Sequence, residues 1–394
     1  MMRGFSCSFV MKLVKLECVS RLPAVWLNWD VVGIAAGDRL VISCGQTRRG
    51  RDHLRTLAKQ LAVGLADSAV GRRVLLRRSS ERVPVFMLHR FQNGDGRQSG
   101  HDPALVAAAL DYLLGHGFRV WTIDEVVQGL LAGNLPERVV AFTMDDGYLD
   151  QGQIGAELFL ARDCPVTIYL VTGMTDGLLW PWEAKVAWLF SRAQKDFRFA
   201  LEGHDYRGDP SDRDQLNRLR RKLVIVLKAM PLSRAEAEVR RLAGIIGEAP
   251  PESPPEPYRA LGWDEVRALE QRGVSFGSHT VSHVTLSAEN DEIAKRELDE
   301  STQRIRAELQ RPSGVFCYPT GRASDYGARE VGFLKELGYD AAITSEPGYC
   351  ALGEATDARY HLHRFSFPDN LLDFKDIVLQ LQRLRTRFGL ARTT

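Results

Sequence analysis

From residue 83 onwards, short apolar runs alternate with amphipathic helical segments, and this alternation limits the chain to a parallel sheet with crossover helices. The runs that predict strands cover residues 83–89, 119–122, 138–144, 165–171, 274–278, 314–318 and 340–344. The helical segments between them include residues 102–115, 151–161, 263–272, 288–310 and 326–337. Such units predict an α/β fold, a (β/α) barrel of about seven units.

The alternation breaks between residues 172 and 262. A helical pattern covers residues 211–229, and Ser233 with Glu236 has the spacing of a capping box that starts a second helix. Five prolines within residues 249–257 form a stiff connector. We therefore predict an inserted helical subdomain over one mouth of the barrel, in which Trp180 and Trp182 form part of a lid.

These boundaries predict a domain over residues 83–394, with the insertion at residues 172–257. Residues 1–82 form an N-terminal extension, and the first 50 of these residues have no sustained helical or strand period.

The segment from residue 48 to residue 90 is strongly basic, with eleven basic and three acidic residues and a net charge of +8. An apolar stripe at helical spacing runs through it, formed by Leu54, Leu57, Leu61 and Leu65. A basic amphipathic helix of this kind either packs against its domain or lies on an anionic membrane surface. Both interpretations stay open, and the second predicts peripheral contact with the inner membrane.

Composition excludes several classes of protein. The formal net charge is only +2, so no global field directs the chain to nucleic acid, and we expect no such partner. Six scattered cysteines without a CxxC pair argue against a cysteine zinc site and a disulfide framework. There is no run of 18 apolar residues and no complete signal-peptide core, so we expect a cytoplasmic protein.

Two groups of polar residues directly follow predicted strands. Asp145 and Asp146 follow the strand at 138–144, and His279 and His283 follow or flank the end of the strand at 274–278. Parallel-sheet proteins place catalysis at these strand ends, and histidines four apart on one face of a helical turn can share a metal ion. One Asp with two His leaves coordination positions open for water, and the remaining carboxylate is then a general base for amide or ester hydrolysis.

Three segments resemble the main motifs of the polysaccharide deacetylases, carbohydrate esterase family four with NodB homology. They are Thr143-Met144-Asp145-Asp146-Gly147-Tyr148, Ser278-His279-Thr280-Val281-Ser282-His283 and Phe316-Cys317-Tyr318-Pro319-Thr320-Gly321. The resemblance spans roughly residues 83–366, interrupted by the insertion. It implies a distorted (β/α) barrel and metal-dependent N-deacetylation of a sugar.

Carried over motif by motif, the resemblance implies that Asp145 is the general base. Asp146, His279 and His283 are then the ligands of one divalent cation, with Zn²⁺ as first choice and Co, Ni or Fe as alternatives. The segment around Thr320 offers a backbone N–H to the oxyanion.

The family's catalytic acid is a histidine, found late in most members and after the first strand in a permuted branch. His89 fits the permuted position, and His363 is its rival. Many relatives carry an arginine where this chain has Cys317. Either Arg364 supplies that charge, or the pKa of the base is less depressed than usual.

The candidate substrate contacts that remain are aromatic and polar residues near the motifs: Tyr148, Tyr318, Thr320, Arg364 and Trp263. Trp263 either lines the cleft or packs at the start of a helix. The predicted function is a metal-dependent hydrolase that removes an N-acetyl group from a sugar in a bacterial glycan, polysaccharide or glycolipid intermediate. A small-molecule amide hydrolase of the same fold and a non-catalytic sugar-binding module are the alternatives.

Overall fold

A computed structural model of the chain describes residues 48–76, 82–93, 100–353 and 357–381. Two compact units make up the chain, Met1–Leu61 and Ala62–Thr394. The sequence predicts a segment without helical or strand period over the first 50 residues. Residues 1–47 of it lie outside the described residues.

The predicted basic helix is present as α1 (Arg48–Ala66), and α2 (Ala69–Leu76) follows it. Of the predicted leucine stripe, Leu61 is 57% exposed and Leu65 is 66% exposed, and Val70 on α2 is 74% exposed. The side chain of Leu54 lies outside the described set. Apolar side chains on both helices therefore face solvent.

The compact unit that begins at Ala62 starts before the predicted boundary at residue 83. Asp67, just after α1, accepts a hydrogen bond from the Tyr112 hydroxyl at 2.6 Å and one from Lys375 Nζ at 3.0 Å. Val63 and Ala66 are buried in the same core as Tyr112. These contacts tie the end of α1 to the barrel domain.

The first half of the barrel alternates strands and helices as predicted. Its elements are β1 (Val85–Leu88), α3 (Pro103–Gly115), β2 (Arg119–Trp121), α4 (Ile123–Ala132), β3 (Val139–Met144), a π-helical turn (Gln151–Ala156) that runs into α5 (Glu157–Leu160), β4 (Thr167–Leu170) and α6 (Thr172–Thr175). Local sequence starts the helices: the Asp102 carboxylate caps α3, and Thr122 with Glu125 forms a capping box on α4.

The insertion has its own hydrophobic core. It contains α7 (Trp182–Arg192), the antiparallel hairpin β5 (Phe197–Leu201) and β6 (His204–Gly208), α8 (Arg213–Lys228) and α9 (Leu232–Ile246). The helix predicted at residues 211–229 is confirmed as α8. The subdomain is not purely helical, however, because the hairpin contributes buried phenylalanines to its core.

The capping box predicted at Ser233 and Glu236 is wrong. Helix α9 begins one residue earlier, at Leu232, and its cap residue Pro231 has no side-chain hydrogen bond to the helix. The Leu232 N–H instead donates to Glu289 Oε1 at 2.6 Å. A distant carboxylate thus satisfies the helix start that the local pattern assigned to serine.

The second half of the barrel resumes the alternation. Its elements are a 3₁₀ turn (Glu256–Tyr258), α10 (Trp263–Gln271), β7 (Ser275–Ser278), a second 3₁₀ turn (Leu286–Ala288), α11 (Asp291–Glu308), β8 (Val315–Cys317), α12 (Ala328–Glu336), β9 (Ala341–Ile343), a third 3₁₀ turn (Ala358–Tyr360), β10 (Phe365–Ser366) and α13 (Leu371–Val378).

All the barrel strands that pair do so in parallel. The main sheet runs β10-β1-β3-β4-β7, with β2 also paired to β3, and β8 pairs with β9 separately. Near the separate pair, Ile343 bridges to Leu362 and the Ser313 N–H donates to the Phe276 carbonyl at 2.7 Å. The predicted distorted (β/α) barrel is confirmed, with the seven predicted strands and β10 in addition.

Candidate active site

Strand register places the predicted chemistry on one rim of the barrel. Leu88 of β1 pairs with Met144 of β3, and Leu170 of β4 pairs with Ser278 of β7. Because the strands are parallel, the residues that follow them emerge at the same end. His89, Asp145 and His279 therefore leave the sheet side by side.

The three predicted metal ligands converge. One donor atom from each of Asp146, His279 and His283 lies within 4.8 Å of the other two. Asp146 Oδ1 is 3.7 Å from His279 Nε2 and 3.4 Å from His283 Nε2. Two ligand atoms about 2.1 Å from a tetrahedral zinc ion lie about 3.4 Å apart, so this donor set fits such a cation.

A second group of possible ligands, Asp145, His279 and Cys317, shares one histidine with the first. Both carboxylate oxygens of Asp145 already accept hydrogen bonds from Arg364, at 2.7 and 2.8 Å. Burial raises the pKa of the Cys317 thiol well above its ordinary value, so the sulfur stays protonated. The cluster that contains Asp146 is therefore the better candidate for a cation site.

Each histidine is oriented through its other ring nitrogen. His279 Nδ1 lies 2.8 Å from the Cys317 carbonyl oxygen, to which it donates, and burial lowers the pKa of His279 to about 4. His283 Nδ1 lies 3.0 Å from Glu183 Oε1 at the start of α7. Burial lowers the pKa of His283, but the Glu183 carboxylate outweighs burial and raises it. In both residues Nε2 is left to face Asp146.

The loop that carries the histidines differs from the predicted helical turn. Thr280 and His283 have φ values of 68° and 56°, which a right-handed helix cannot accommodate. The N–H groups of Val281 and Ser282 donate to Glu297 Oε2, each at 2.9 Å, instead of to helical carbonyls. A buried carboxylate on α11 therefore shapes this loop.

The predicted base, Asp145, forms a buried ion pair with Arg364. The Arg364 side chain is fully buried, and besides the carboxylate it donates to Thr143 Oγ1 at 2.8 Å and to Cys317 Sγ at 3.3 Å. Burial raises the pKa of Asp145, but the charge and hydrogen bonds of Arg364 outweigh burial and hold the pKa well below its ordinary value. Arg364 thus supplies the charge that Cys317 lacks.

Burial also corrects the substrate role suggested for Arg364. A fully buried guanidinium that is engaged with Asp145, Thr143 and Cys317 has no face turned to a ligand. Arg364 instead positions the Asp145 carboxylate and keeps it ionised.

Two residues that sequence patterns did not single out hold the site together. The Gln151 side chain is buried and donates to the carbonyls of His89, at 2.6 Å, and Asp145. It therefore ties the ends of β1 and β3 to each other. Glu183 comes from the insertion and orients His283. Both contacts join segments far apart in sequence, so no local spacing signals them.

His89 and His363 occupy different places. His89 lines the cavity above the metal cluster, and its Nε2 is 3.9 Å from Asp145 Oδ2. His363 is exposed and does not line that cavity, and its ring lies against Gly348 instead. Among the two candidate acids, the geometry brings only His89 to the base.

The aromatic candidates for substrate contact also occupy different places. Tyr148 and Tyr318 line the cavity, and Tyr318 stacks on Tyr326 with ring centroids 3.8 Å apart. Trp263 packs in the main hydrophobic core and donates its indole N–H to Asp176 Oδ1 at 2.7 Å, so it is a structural residue and not a cleft wall.

The lid predicted at Trp180 and Trp182 is not formed by their rings. Both tryptophans are buried, and Trp180 packs near Tyr258 with ring centroids 5.6 Å apart. Pro181 between them lines the cavity.

Thr320 lines the same cavity and has a left-handed backbone, with φ of 58°. The neighbouring Gly321 N–H donates to the Pro319 carbonyl at 2.6 Å, whereas no hydrogen bond within the described residues uses the Thr320 N–H. This N–H is the donor that the third motif was expected to offer.

The cavity has a volume of about 870 Å³ and is large enough for a small glycan. Its floor holds Asp145, Asp146, His279 and His283, and helix α8 of the insertion forms part of its wall.

Comparison with known proteins agrees with the motifs. Residues 232–342 match the polysaccharide deacetylase family. The Bacillus subtilis (strain 168) protein YxkH, which carries the provisional name of a polysaccharide deacetylase, is 25% identical over 101 residues, or 26% of this chain and 34% of that protein. The chain thus spans about a third of this curated relative.

A solved structure shares the fold. The Streptococcus pyogenes deacetylase PplD, solved with acetate, has a TM-score of 0.50 and 16% identity, over 76% of this chain and 98% of that one. IcaB from Ammonifex degensii has a TM-score of 0.49 and 15% identity, over 76% and 97% of the two chains.

The first prediction concerns the contact between Glu183 and His283. Glu183→Gln removes the charge that orients His283 while keeping the shape of the side chain, so we expect the affinity of the metal-stripped protein for Zn²⁺ to fall about 10- to 100-fold. Competition with a chromophoric chelator measures this affinity without any substrate. The matched control is Glu236→Gln, which removes a carboxylate of the same insertion that pairs only loosely with Arg240, at 4.0 Å. Equal affinities of E183Q and E236Q would contradict the orienting role.

The second prediction concerns the buried ion pair between Arg364 and Asp145. Arg364→Gln leaves the Asp145 carboxylate buried without a cation, and we expect the free energy of unfolding to fall by about 3–5 kcal/mol in denaturant titrations. Adding Asp145→Asn to R364Q should restore part of the loss, because the buried charge is then removed as well. Arg207→Gln, which breaks an ion pair between largely exposed side chains, is the control and should have little effect. An R364Q protein as stable as R207Q would show that the ion pair does not support the fold.

Proposed function

We propose that this chain, whose residues 232–342 match the polysaccharide deacetylase family, is a metal-dependent hydrolase that removes an acetyl group from the nitrogen of an N-acetylated sugar. One observation carries the proposal. The donor atoms of Asp146, His279 and His283 lie within 4.8 Å of one another, beside the ionised Asp145, on the floor of a cavity of about 870 Å³. This arrangement provides a cation site and a base at one place.

A divalent cation held by Asp146, His279 and His283 would supply Lewis acidity toward the attacking water and the acetyl carbonyl. Asp145 accepts the proton of that water, since Arg364 keeps it ionised and each carboxylate oxygen retains a lone pair for a further hydrogen bond. Water then adds to the acetyl carbon, and the carbon–nitrogen bond breaks to give acetate and a free amine.

The leaving amine needs a proton, and His89 is placed to give it. Its Nε2 lies 3.9 Å from Asp145 Oδ2, and its side chain is 45% exposed toward the cavity. The Thr320 N–H points to a role in stabilising the negative charge that develops on the carbonyl oxygen. Tyr148 and Tyr318 line the cavity but are buried, so they shape its wall and do not offer an open ring face to the sugar.

The location of the protein is part of the proposal. Within the described residues, no helix is long and apolar enough to cross a bilayer. Exposed Leu65 and Val70, in a segment of high positive charge, support reversible contact with the anionic inner face of the bacterial membrane, where lipid-linked sugars are presented to a cytoplasmic enzyme.

Acetate release tests the catalytic assignment. We expect Asp145→Asn to abolish acetate release from N-acetylated oligosaccharides while bound zinc, measured by metal analysis, stays near the native ratio, because only the base is lost. His89→Ala should lower kcat by about 100-fold or more, whereas His363→Ala should be close to the native protein. Loss of activity in H363A with full activity in H89A would overturn the assignment of the acid. Absence of acetate release by the zinc-loaded native protein from every N-acetylated sugar would contradict the proposed function.

Vesicle sedimentation tests the location. Native protein should sediment with vesicles of phosphatidylglycerol and phosphatidylcholine at low salt and should be released as salt rises, because each basic residue contributes about 1 kcal/mol that salt screens. Replacing Leu65 and Val70 with Glu should abolish binding, while Leu178→Glu, at a residue 80% exposed elsewhere on the barrel domain, should not. Equal recovery of native protein in the supernatant with and without vesicles would exclude the membrane contact.

A further inference from the structure

Helix α8 of the insertion presents one face to the cavity above the metal cluster. Arg220, Val224, Ile225 and Lys228 line the cavity. Their spacing of four, five and eight residues places them on one side of the helix, while its buried leucines pack into the core of the insertion. The insertion therefore forms a wall of the substrate site.

The two cations of this wall, Arg220 and Lys228, lack a counter-ion among the residues that the structure describes. Within the described part of the chain, neither Arg220 nor Lys228 forms an ion pair or a hydrogen bond through its side chain, although both are half-buried. Other arginines of the insertion are paired, for example Arg234 with Glu202 and Arg241 with Glu238. A half-buried guanidinium has lost part of its hydration, and here no protein group replaces it.

The acidic residues that line the same cavity are engaged elsewhere. They are Asp145, Asp146, Glu183, Asp325 and Glu346. Asp145 is paired with Arg364, and Asp146 and Glu183 both face His283. The Asp325 carboxylate accepts from Thr320 Oγ1 at 2.5 Å and from the Arg322 N–H at 3.0 Å, and Glu346 accepts from the Ala323 N–H at 3.1 Å. None of them neutralises the cations of α8.

We propose that the N-acetylated sugar accepted by this site carries an anionic group, a phosphate or a carboxylate, which Arg220 and Lys228 bind. This substrate class rests on the deacetylase function proposed above. The planar guanidinium of Arg220 matches such an anion with two parallel hydrogen bonds, and the Lys228 ammonium adds a point charge. Eight residues separate the two along about 12 Å of helix. Both side chains line the cavity that contains the metal cluster.

Substrate preference tests this inference. Acetate release by the zinc-loaded protein is compared for N-acetylglucosamine, N-acetylglucosamine 1-phosphate and a disaccharide of glucuronic acid and N-acetylglucosamine. We expect a higher kcat/KM for at least one anionic substrate than for the neutral sugar, and the preferred one distinguishes phosphate from carboxylate. In the double variant R220Q/K228Q the ratio of anionic to neutral kcat/KM should fall by about tenfold or more.

The matched control is R221Q/K222Q, which removes the same charge from exposed positions of the same helix that do not line the cavity. It should keep the native ratio. Equal kcat/KM for neutral and anionic substrates in the native protein, or an unchanged ratio in R220Q/K228Q, would overturn the inference and leave the deacetylase function standing.

Binding of the reaction products separates the two proposals, since it requires no catalysis. Calorimetry should give tighter binding of glucosamine 1-phosphate, or of the deacetylated disaccharide, than of glucosamine, and R220Q/K228Q should lose this difference. If that pattern appears while no substrate releases acetate, the proposed function fails and the anion site stands. If acetate is released but the anionic and neutral products bind equally in the native protein, the anion site fails.

Discussion

The site depends on a buried ion pair between Arg364 and Asp145. The guanidinium forms five hydrogen bonds, two to the carboxylate and the others to Thr143, Thr344 and Cys317. Burying a carboxylate is costly unless a cation and hydrogen bonds compensate, so this network is what allows the base to stay charged inside the barrel. The same network joins β3, β8, the end of β9 and the segment before β10, and it therefore couples closure of the barrel to the chemistry of its rim.

Backbone strain collects around the same rim. Asp146, Thr280, His283 and Thr320 all have positive φ values, although none is glycine. Such conformations persist only where surrounding contacts impose them, here the Glu297 carboxylate on the histidine loop and Gln151 between the ends of β1 and β3. The donor cluster and Asp145 are thus held in place by the fold itself, which is the preorganisation that catalytic groups require.

The barrel and the insertion contribute different residues to the site. The barrel carries Asp145, His89 and the donor cluster of Asp146, His279 and His283, while the insertion adds Glu183 behind His283 and the cationic face of α8 above the cavity. The family match covers residues 232–342, so α8 lies outside it, as do Asp145, Asp146 and His89.

Local patterns in the sequence determined the strands, most of the helices and the residues that follow strand ends. Strand alternation and helical periodicity are patterns among residues close together in sequence, so they can be recognised before the fold is known. Parallel pairing then required Asp145, Asp146 and His279 to share one rim.

Tertiary structure alone decided the partners of these residues. Arg364 lies 219 residues from Asp145, and Glu183 lies 100 residues from His283. It also decided that Trp263 packs in the core and that the histidines sit on a left-handed loop instead of a helix. Each outcome depends on a burial or a contact between distant segments, and no local spacing encodes such a contact.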